Sequence, residues 1–339
     1  GVPEEVLSLD SLDEILEALN DPYTVYYTAE EYESFLSSVN GESVVGIGVS
    51  VQNAFDNGFQ ILSILPNSPA LEAGIEAGDR IIAVDGVTLT ESSDIRSAIA
   101  GEEGSQVTVT VVSQRDGRTR DYTLTRRAVD IPIVTYELVG DAGYIDCTSF
   151  GDSTTATVQE ALEELNDDVS IWIMDLRSNP GGTSEAAAGS AGLFAGSATM
   201  VYFRDAAGNY QYVYTTEACP DLTDKPLVIL TSPYSASGSE LFASAARDLG
   251  FGIAIGQRTY GKGIAQIVFD ETNTQGLFDG DALKITAYRF FSPDGATNHT
   301  VGVLPTLMLS VENTPAAALL LSASEPSRAS GFLKLELAG

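Results

Sequence analysis

The sequence predicts a multidomain α/β (α+β) protein: a helical N-terminal segment over 1–42, a strand-rich domain over 43–127 and a layered βα core over 128–339. Three observations carry this. Apolar residues recur at helical spacing in the first segment, and short β-rich runs alternate with Gly and Pro turns in the second. Apolar strands alternate with helical patterns in the third. At 339 residues the chain is long enough for roughly two domains with cores of their own.

In the first segment, SLDSLDEILEALN places Leu9, Leu12, Ile15, Leu16 and Leu19 on one helical face. A second helix is expected to open at Thr28, because TAEEYESFL sets Glu31 three positions after it as a capping box. In the strand-rich domain the expected strands are SVVGIGVSVQ, FQILSIL, RIIAVDGVTL, SQVTVTVVSQ and RDYTLTR, with one helical piece at SSDIRSAIA. The pair Asp116-Gly117 signals a hairpin between the last two strands. In the core, strands GYIDCTSF, SIWIMDLR, PLVILT, FGIAIG and IAQIVF alternate with helices TATVQEALEELN, SEAAAGSAGLFA and SGSELFASAARDLG.

Bulk properties narrow the function classes. The 17 Lys and Arg face 48 Asp and Glu, a net charge of −31 that repels nucleic acid and anionic membranes. No apolar run approaches the roughly 18 residues that span a bilayer. The chain opens at GVPEEV without a methionine, which is compatible with a signal or membrane anchor lying ahead of it. Cys147 and Cys219 are too few for a disulfide scaffold or a zinc site, and whether they pair is left open. No cofactor, metal or nucleotide motif is present.

Chemistry concentrates in three segments. TSPYSASGSELF runs from an apolar strand through small residues into a helix, and carries Ser232, Ser235, Ser237 and Ser239. A serine there sits at a helix N-terminus, where backbone N–H groups receive developing negative charge; the same serines also suit plain helix capping. The sole histidine, His299, lies in a polar loop, so the base for a serine nucleophile is sought among four lysines, Lys225, Lys262, Lys284 and Lys334. A lysine becomes a base when desolvation disfavours its charged form. Lys262 stands out between Gly261 and Gly263 at the start of a strand, with Gln266 placed on its face in an extended segment; a surface lysine in a glycine hairpin reads the same way. The third segment, DLRSNPGGTSE, turns at Gly181 and Gly182 into a helix and exposes amides suited to an oxyanion hole.

Taken together, these segments resemble the C-terminal processing peptidase family, also called tail-specific proteases. The likeness runs in order through DPYTVYYTAEEYESF, VVGIGVSV, SPALEAGIEAGDRIIAVDG, GYIDCTSF, DLRSNPGG, SASGSE, TYGKGIAQ and LKITAYRFFSPDG. The resemblance implies a crotonase/ClpP-like layered protease core with an inserted PDZ domain. It also implies Ser237 as nucleophile, Lys262 as general base 25 positions on, and Gln266 as its support. Gly238 and one of Gly181 or Gly182 would be the oxyanion donors. Asp248 corresponds to an aspartate important in some members, although an ordinary helix acid is the plainer reading. Gly238 stands for the usual alanine, Tyr260 for phenylalanine and Tyr234 for a small residue; none of these changes removes a catalytic group.

In the PDZ domain the resemblance makes Gly46, Ile47, Gly48 and Val49 the carboxylate-binding loop and sets Ile95 and Ile99 in the groove wall. The implied partners are polypeptides with exposed apolar C-termini, with a PDZ domain able to gate the cleft and a homodimer as some relatives form. The implied location is extracytoplasmic, at a bacterial envelope or secreted. Two alternatives stay open: a PDZ peptide-binding scaffold with an inactive core, and a crotonase-like acyl-thioester enzyme.

Overall fold

In the computed structural model, residues 6–54, 58–90, 93–216, 219, 221–310, 318, 327–329 and 332–334 are described. Ser92, at the start of the expected SSDIRSAIA helix, lies outside them. The chain packs as two units, one formed by residues 1–40 with 133–339 and the other by 41–132.

Helix α1 (Leu12–Leu19) starts at Ser11, whose hydroxyl accepts from the Glu14 amide at 3.3 Å. Strand β1 (Val25–Tyr27) and helix α2 (Ala29–Asn40) follow. The Glu31 carboxylate accepts from the Thr28 amide at 2.9 Å while Thr28 Oγ1 accepts from the Glu31 amide at 3.4 Å, the reciprocal pair that the sequence predicts.

The strand-rich unit comprises β2 (Ser43–Gly46), β3 (Val49–Ala54), β4 (Gly58–Ile64), α3 (Pro69–Glu72), β5 (Arg80–Val84) and β6 (Val87–Thr88). It continues through α4 (Ile95–Ile99), β7 (Gln106–Val112), β8 (Thr119–Thr125) and β9 (Arg127–Asp130). Strands β3-β4-β5-β7-β8 form one sheet with β3 at its edge and β6 beside β5. The β7–β8 hairpin turns at Gly117, whose φ of 68° needs a glycine. The unit extends beyond residue 127 because β2 pairs antiparallel with β9, Ser43 facing Asp130.

The larger unit continues with β10 (Val134–Val139), β11 (Ala142–Cys147), α5 (Thr154–Leu165), β12 (Ile171–Asp175), α6 (Ser184–Ala195), β13 (Thr199–Arg204) and β14 (Tyr210–Thr215). Then come β15 (Leu227–Thr231), α7 (Gly238–Leu249), β16 (Gly252–Gly256), β17 (Ile264–Phe269), β18 (Ala282–Phe291) and β19 (Leu307–Met308). A six-stranded sheet runs β10-β11-β12-β15-β16-β19, parallel throughout except for β10 against β11. Every residue of β12 and β15 is buried, as expected of apolar strands covered on both faces. One face packs Trp172, Met174, Leu227 and Ile229 against α5, α6 and α7; the other gathers Ile171, Ile173, Val228, Leu230 and Ile255.

A second, antiparallel sheet runs β1-β18-β13-β14, with β17 also on β18. The sequence reading gave no strand for β13, β14 or β18. The sequence pattern sets residues 1–42 apart as a segment of their own, whereas β1 pairs with β18, Val25 facing Lys284, so that this segment completes the core's second sheet. Among the described residues no helix is long and apolar enough to cross a membrane.

Candidate functional site

Three neighbouring parallel strands build the site at their C-terminal ends. Strand β12 leads into the Gly181-Gly182 turn, β15 into the serine-rich turn before α7, and β16 into the loop that carries Lys262. Because Asp175 pairs with Leu230 and Thr231 with Gly256, the three loops leave the sheet side by side. This is the edge where open α/β sheets hold ligands.

The structure separates the four serines. Ser232 Oγ donates to the Arg177 carbonyl at 2.5 Å, Ser235 Oγ to the Leu176 carbonyl at 2.7 Å and Ser239 Oγ to the Asn179 carbonyl at 2.9 Å. These three fasten the turn to the loop after β12. Ser237 alone of the four lines a cleft of about 740 Å³. Its backbone has φ 54° and ψ −110°, a strained conformation for a residue with a side chain, as at a sharp strand-to-helix elbow that presents a hydroxyl.

Gly181, Gly182, Lys262 and Gln266 line the same cleft as Ser237. The Gly-Gly turn is fixed from both sides. The Gly181 amide donates to Asn179 Oδ1 at 2.8 Å, the Phe150 amide to the Gly181 carbonyl at 2.9 Å, and the Thr183 amide to the Phe150 carbonyl at 2.8 Å. A Cβ on Gly181 would stand 2.7 Å from Ser237 Cβ and 2.9 Å from the Gly238 amide nitrogen, so only glycine lets the turn approach the elbow this closely.

Burial and the neighbouring Lys284 charge hold the Lys262 amine below the ordinary lysine range, against the opposing pull of Glu240 and Asp21. The amine lies 4.9 Å from the centroid of the Tyr23 ring. No hydrogen bond among the described residues joins it to the Ser237 hydroxyl or to Gln266. Gln266 instead donates through Nε2 to Thr286 Oγ1 at 3.1 Å, and β17 carries a register shift between Ala265 and Gln266. Asp21 is held below the usual carboxylate value: burial works against its charge, but hydrogen bonds from Thr24 and Thr286 outweigh it.

Sequence reasoning missed the residue that joins these parts. Glu240 is fully buried. Its Oε2 accepts from the amides of Ser237 at 2.9 Å and Lys262 at 2.7 Å; its Oε1 accepts from Thr259 Oγ1 at 2.6 Å and the Gly261 amide at 2.7 Å. One carboxylate thus ties the elbow to the lysine loop. The spacing Ser237-Gly-Ser-Glu240, a capping-box pattern at the head of a helix, was the available signal. Asn179, Tyr23 and Lys284 were missed as well. Asp248 sits at the other end of α7, accepting from the Asp294 amide at 3.1 Å, and is not part of the cleft lining. His299 also lies outside it.

In the strand-rich unit Ile47, Ile95 and Ile99 share one hydrophobic core, with Ile95 and Ile99 at 7% and 8% exposure. Gly48 has φ 75°, and a Cβ there would stand 2.2 Å from Ser68 Cβ. The Gly46–Val49 loop feeds directly into the edge strand β3. Neither Cys147 nor Cys219 is in a disulfide among the described residues, and burial pushes Cys147 up to about 12. Among the described residues no cluster of His, Cys, Asp and Glu could hold a metal ion.

A strained serine at a helix N-terminus, with glycine-turn amides and a desolvated amine in one cleft, is equipped for acyl transfer. The chain is similar to known proteins over most of its length. Residues 141–309 match peptidase family S41, and residues 60–113 match a PDZ domain. The carboxyl-terminal-processing protease of Picosynechococcus sp. is 32% identical over 306 residues, covering 87% of this chain and 71% of that protein. The corresponding protease of Synechocystis sp. is 31% identical over 305 residues, covering 87% and 69%. Among solved structures, the photosystem II D1 C-terminal processing protease superimposes with a TM-score of 0.53 at 28% identity, over 91% of this chain and 86% of the other. The chain belongs to peptidase family S41, the carboxyl-terminal-processing proteases.

Proposed function

We propose that this protein is a serine endopeptidase that cleaves polypeptides near an exposed, apolar C-terminal tail. The observation that carries the reading is the delivery of Ser237, Lys262 and the Gly-Gly turn to one cleft by three adjacent strand ends. In this mechanism the neutral Lys262 amine takes the Ser237 proton as Oγ attacks the scissile carbonyl. The amides of Gly238 and Gly182 receive the oxyanion. Gly182 is the turn's donor because the Gly181 N–H is committed to Asn179. The lysine then passes its proton to the leaving amine, which frees the first product. A water molecule, deprotonated by the same amine, releases the acyl group and restores the serine. For the first transfer the Lys262 amine leaves the Tyr23 ring and meets the hydroxyl when substrate fills the cleft; catalytic hydrogen bonds commonly tighten only in the complex. Gln266, anchored on Thr286, supports the strand that follows the lysine.

Tail capture falls to the PDZ unit. The edge strand β3 accepts the tail as an added strand, and the amides of the Gly46, Ile47, Gly48 and Val49 loop receive its terminal carboxylate. In this reading Ile95 and Ile99 back the other wall of that groove from within the unit's hydrophobic core. The core layering is of the crotonase/ClpP kind in this reading, and the enzyme works outside the cytoplasm of a bacterium.

The test is cleavage of an unfolded polypeptide with an apolar C-terminus by wild type, Ser237→Ala and Lys262→Ala. The reading expects loss of cleavage in both variants with the fold retained. Equal activity in all three removes it, and coenzyme binding without proteolysis favours an acyl-thioester enzyme.

A further inference from the structure

We propose that Lys284 is a positioning residue for this reaction: an ammonium fixed in an aromatic cage that favours the neutral, proton-accepting form of the Lys262 amine. The inference rests on the Ser237–Lys262 reading above and adds to it the device that keeps a lysine neutral in so acidic a chain.

Lys284 lies on β18 between two partner strands, facing Val25 of β1 and Val268 of β17. Its amine donates to Tyr27 Oη at 2.5 Å, 5.0 Å from the Tyr27 ring centroid and 4.6 Å from that of Phe35. Those two rings stack on one another with centroids 5.1 Å apart. The negative face of Phe35 and the Tyr27 phenol oxygen solvate the charge in place of water. Among the described residues Lys284 has no carboxylate partner, in a sequence where 48 acids face 17 bases.

Lys284 also lines the cleft that Ser237, Lys262 and Gln266 line. Thr286, two residues along the same face of β18, holds Gln266. The groups that bear on Lys262 are Lys284 from β18, Glu240 from α7, and Asp21 and Tyr23 ahead of β1; Tyr260 of its own loop meets Tyr23. Asp152 and Glu185 line other parts of the cleft. The carboxylates of Glu240 and Asp21 favour the protonated amine; Lys284 is the group of opposite effect, and it reinforces desolvation.

The test compares wild type, Lys284→Met, Lys284→Arg and Lys262→Ala on a fluorogenic peptide with an apolar C-terminus, reading kcat/KM from the neutral to the alkaline range. Without the Lys284 charge the acid limb moves to higher pH. Lys284→Met then loses about fivefold or more at neutral pH and converges on wild type to within about twofold on the alkaline plateau. Lys284→Arg keeps the wild-type position of the acid limb, at a plateau lowered by the larger head group. A Lys284→Met profile whose acid limb stays in place overturns the proposal, whether or not its plateau falls, because packing or substrate contact alone would scale activity equally at every pH. A second measurement, the pH dependence of acetylation of Lys262 followed by mass spectrometry in a Ser237→Ala background, must shift in the same direction with Lys284→Met; no shift overturns the proposal without any reference to activity. Activity retained by Lys262→Ala is a separate outcome that removes the underlying mechanism.

Discussion

Glu240→Gln tests how far one buried carboxylate holds the site together. The substitution keeps the shape of the side chain and exchanges one oxygen for an NH₂ group. Kept in the orientation that preserves Oε1 for Thr259 and Gly261, the new amide points its N–H groups at the amides of Ser237 and Lys262, which lose their acceptor. A buried donor without an acceptor costs about 1–3 kcal/mol, so the pair costs about 2–6 kcal/mol before relaxation. Set against a typical domain stability of about 5–15 kcal/mol, that leaves the fold in place but drives the elbow and the lysine loop apart. The assays are urea unfolding and kcat/KM on an unfolded polypeptide. The expected result is a lowered urea midpoint with activity reduced by about 10²-fold or more, since small displacements of reacting groups carry losses of this size. Glu240→Ala orphans all four donors and should fall further in both. A Glu240→Gln protein with the wild-type midpoint and activity within about threefold would refute the view that this carboxylate couples the two loops.

Gly181→Ala forces a Cβ to within 2.7 Å of Ser237 Cβ and 2.9 Å of the Gly238 amide, and should lower kcat by about 10²-fold through damage to the oxyanion site; circular dichroism must show the fold retained, and an undiminished kcat contradicts the assignment. Gly48→Ala combines φ 75° with a 2.2 Å approach to Ser68 and should abolish tail-peptide binding measured by calorimetry, with retained affinity counting against the loop. Because burial lowers the Lys262 pKa in the fold, the unfolded chain binds more protons between that lowered value and the ordinary lysine value; stability therefore rises with pH through this window and is lost as pH falls through the folded pKa. Lys262→Met should raise the unfolding midpoint at neutral pH and flatten that rise, and an unchanged slope would argue against a desolvated amine. Cys147, with its thiol pushed up to about 12 by burial, should resist a thiol reagent until the protein is unfolded, whereas rapid native labelling would contradict the buried placement.

Much of this site is legible before folding because its parts sit where single strands end. Ser237, Lys262 and the Gly-Gly turn each follow an apolar run, and periodicity alone finds such runs. The distinction among four serines is not local: Ser232, Ser235 and Ser239 are separated from Ser237 only by the carbonyls of Leu176, Arg177 and Asn179, which the loop after a different strand supplies. Glu240 had a capping-box signal, but its bonds to Thr259, Gly261 and Lys262 span up to 22 positions, and no local pattern announces them. Strand β18 escaped for a related reason, since its pairing with β1 and β13 joins segments from opposite parts of the sequence. Lys284 was consequently one lysine among four until Tyr27 and Phe35 closed around it. Ile95 and Ile99 show the converse limit: a five-residue helix has too little length for its pattern to tell groove from core, and the structure places both in the hydrophobic core of the unit.

The most direct measurement of the central claim is the rate at which a fluorophosphonate labels the protein, with the adduct located by mass spectrometry. A serine made nucleophilic by a neutral lysine predicts one adduct on Ser237, formed faster as pH rises through the lowered Lys262 pKa and lost in Lys262→Ala. Labelling at another residue, or labelling of Ser237 at the same rate in Lys262→Ala, would contradict it.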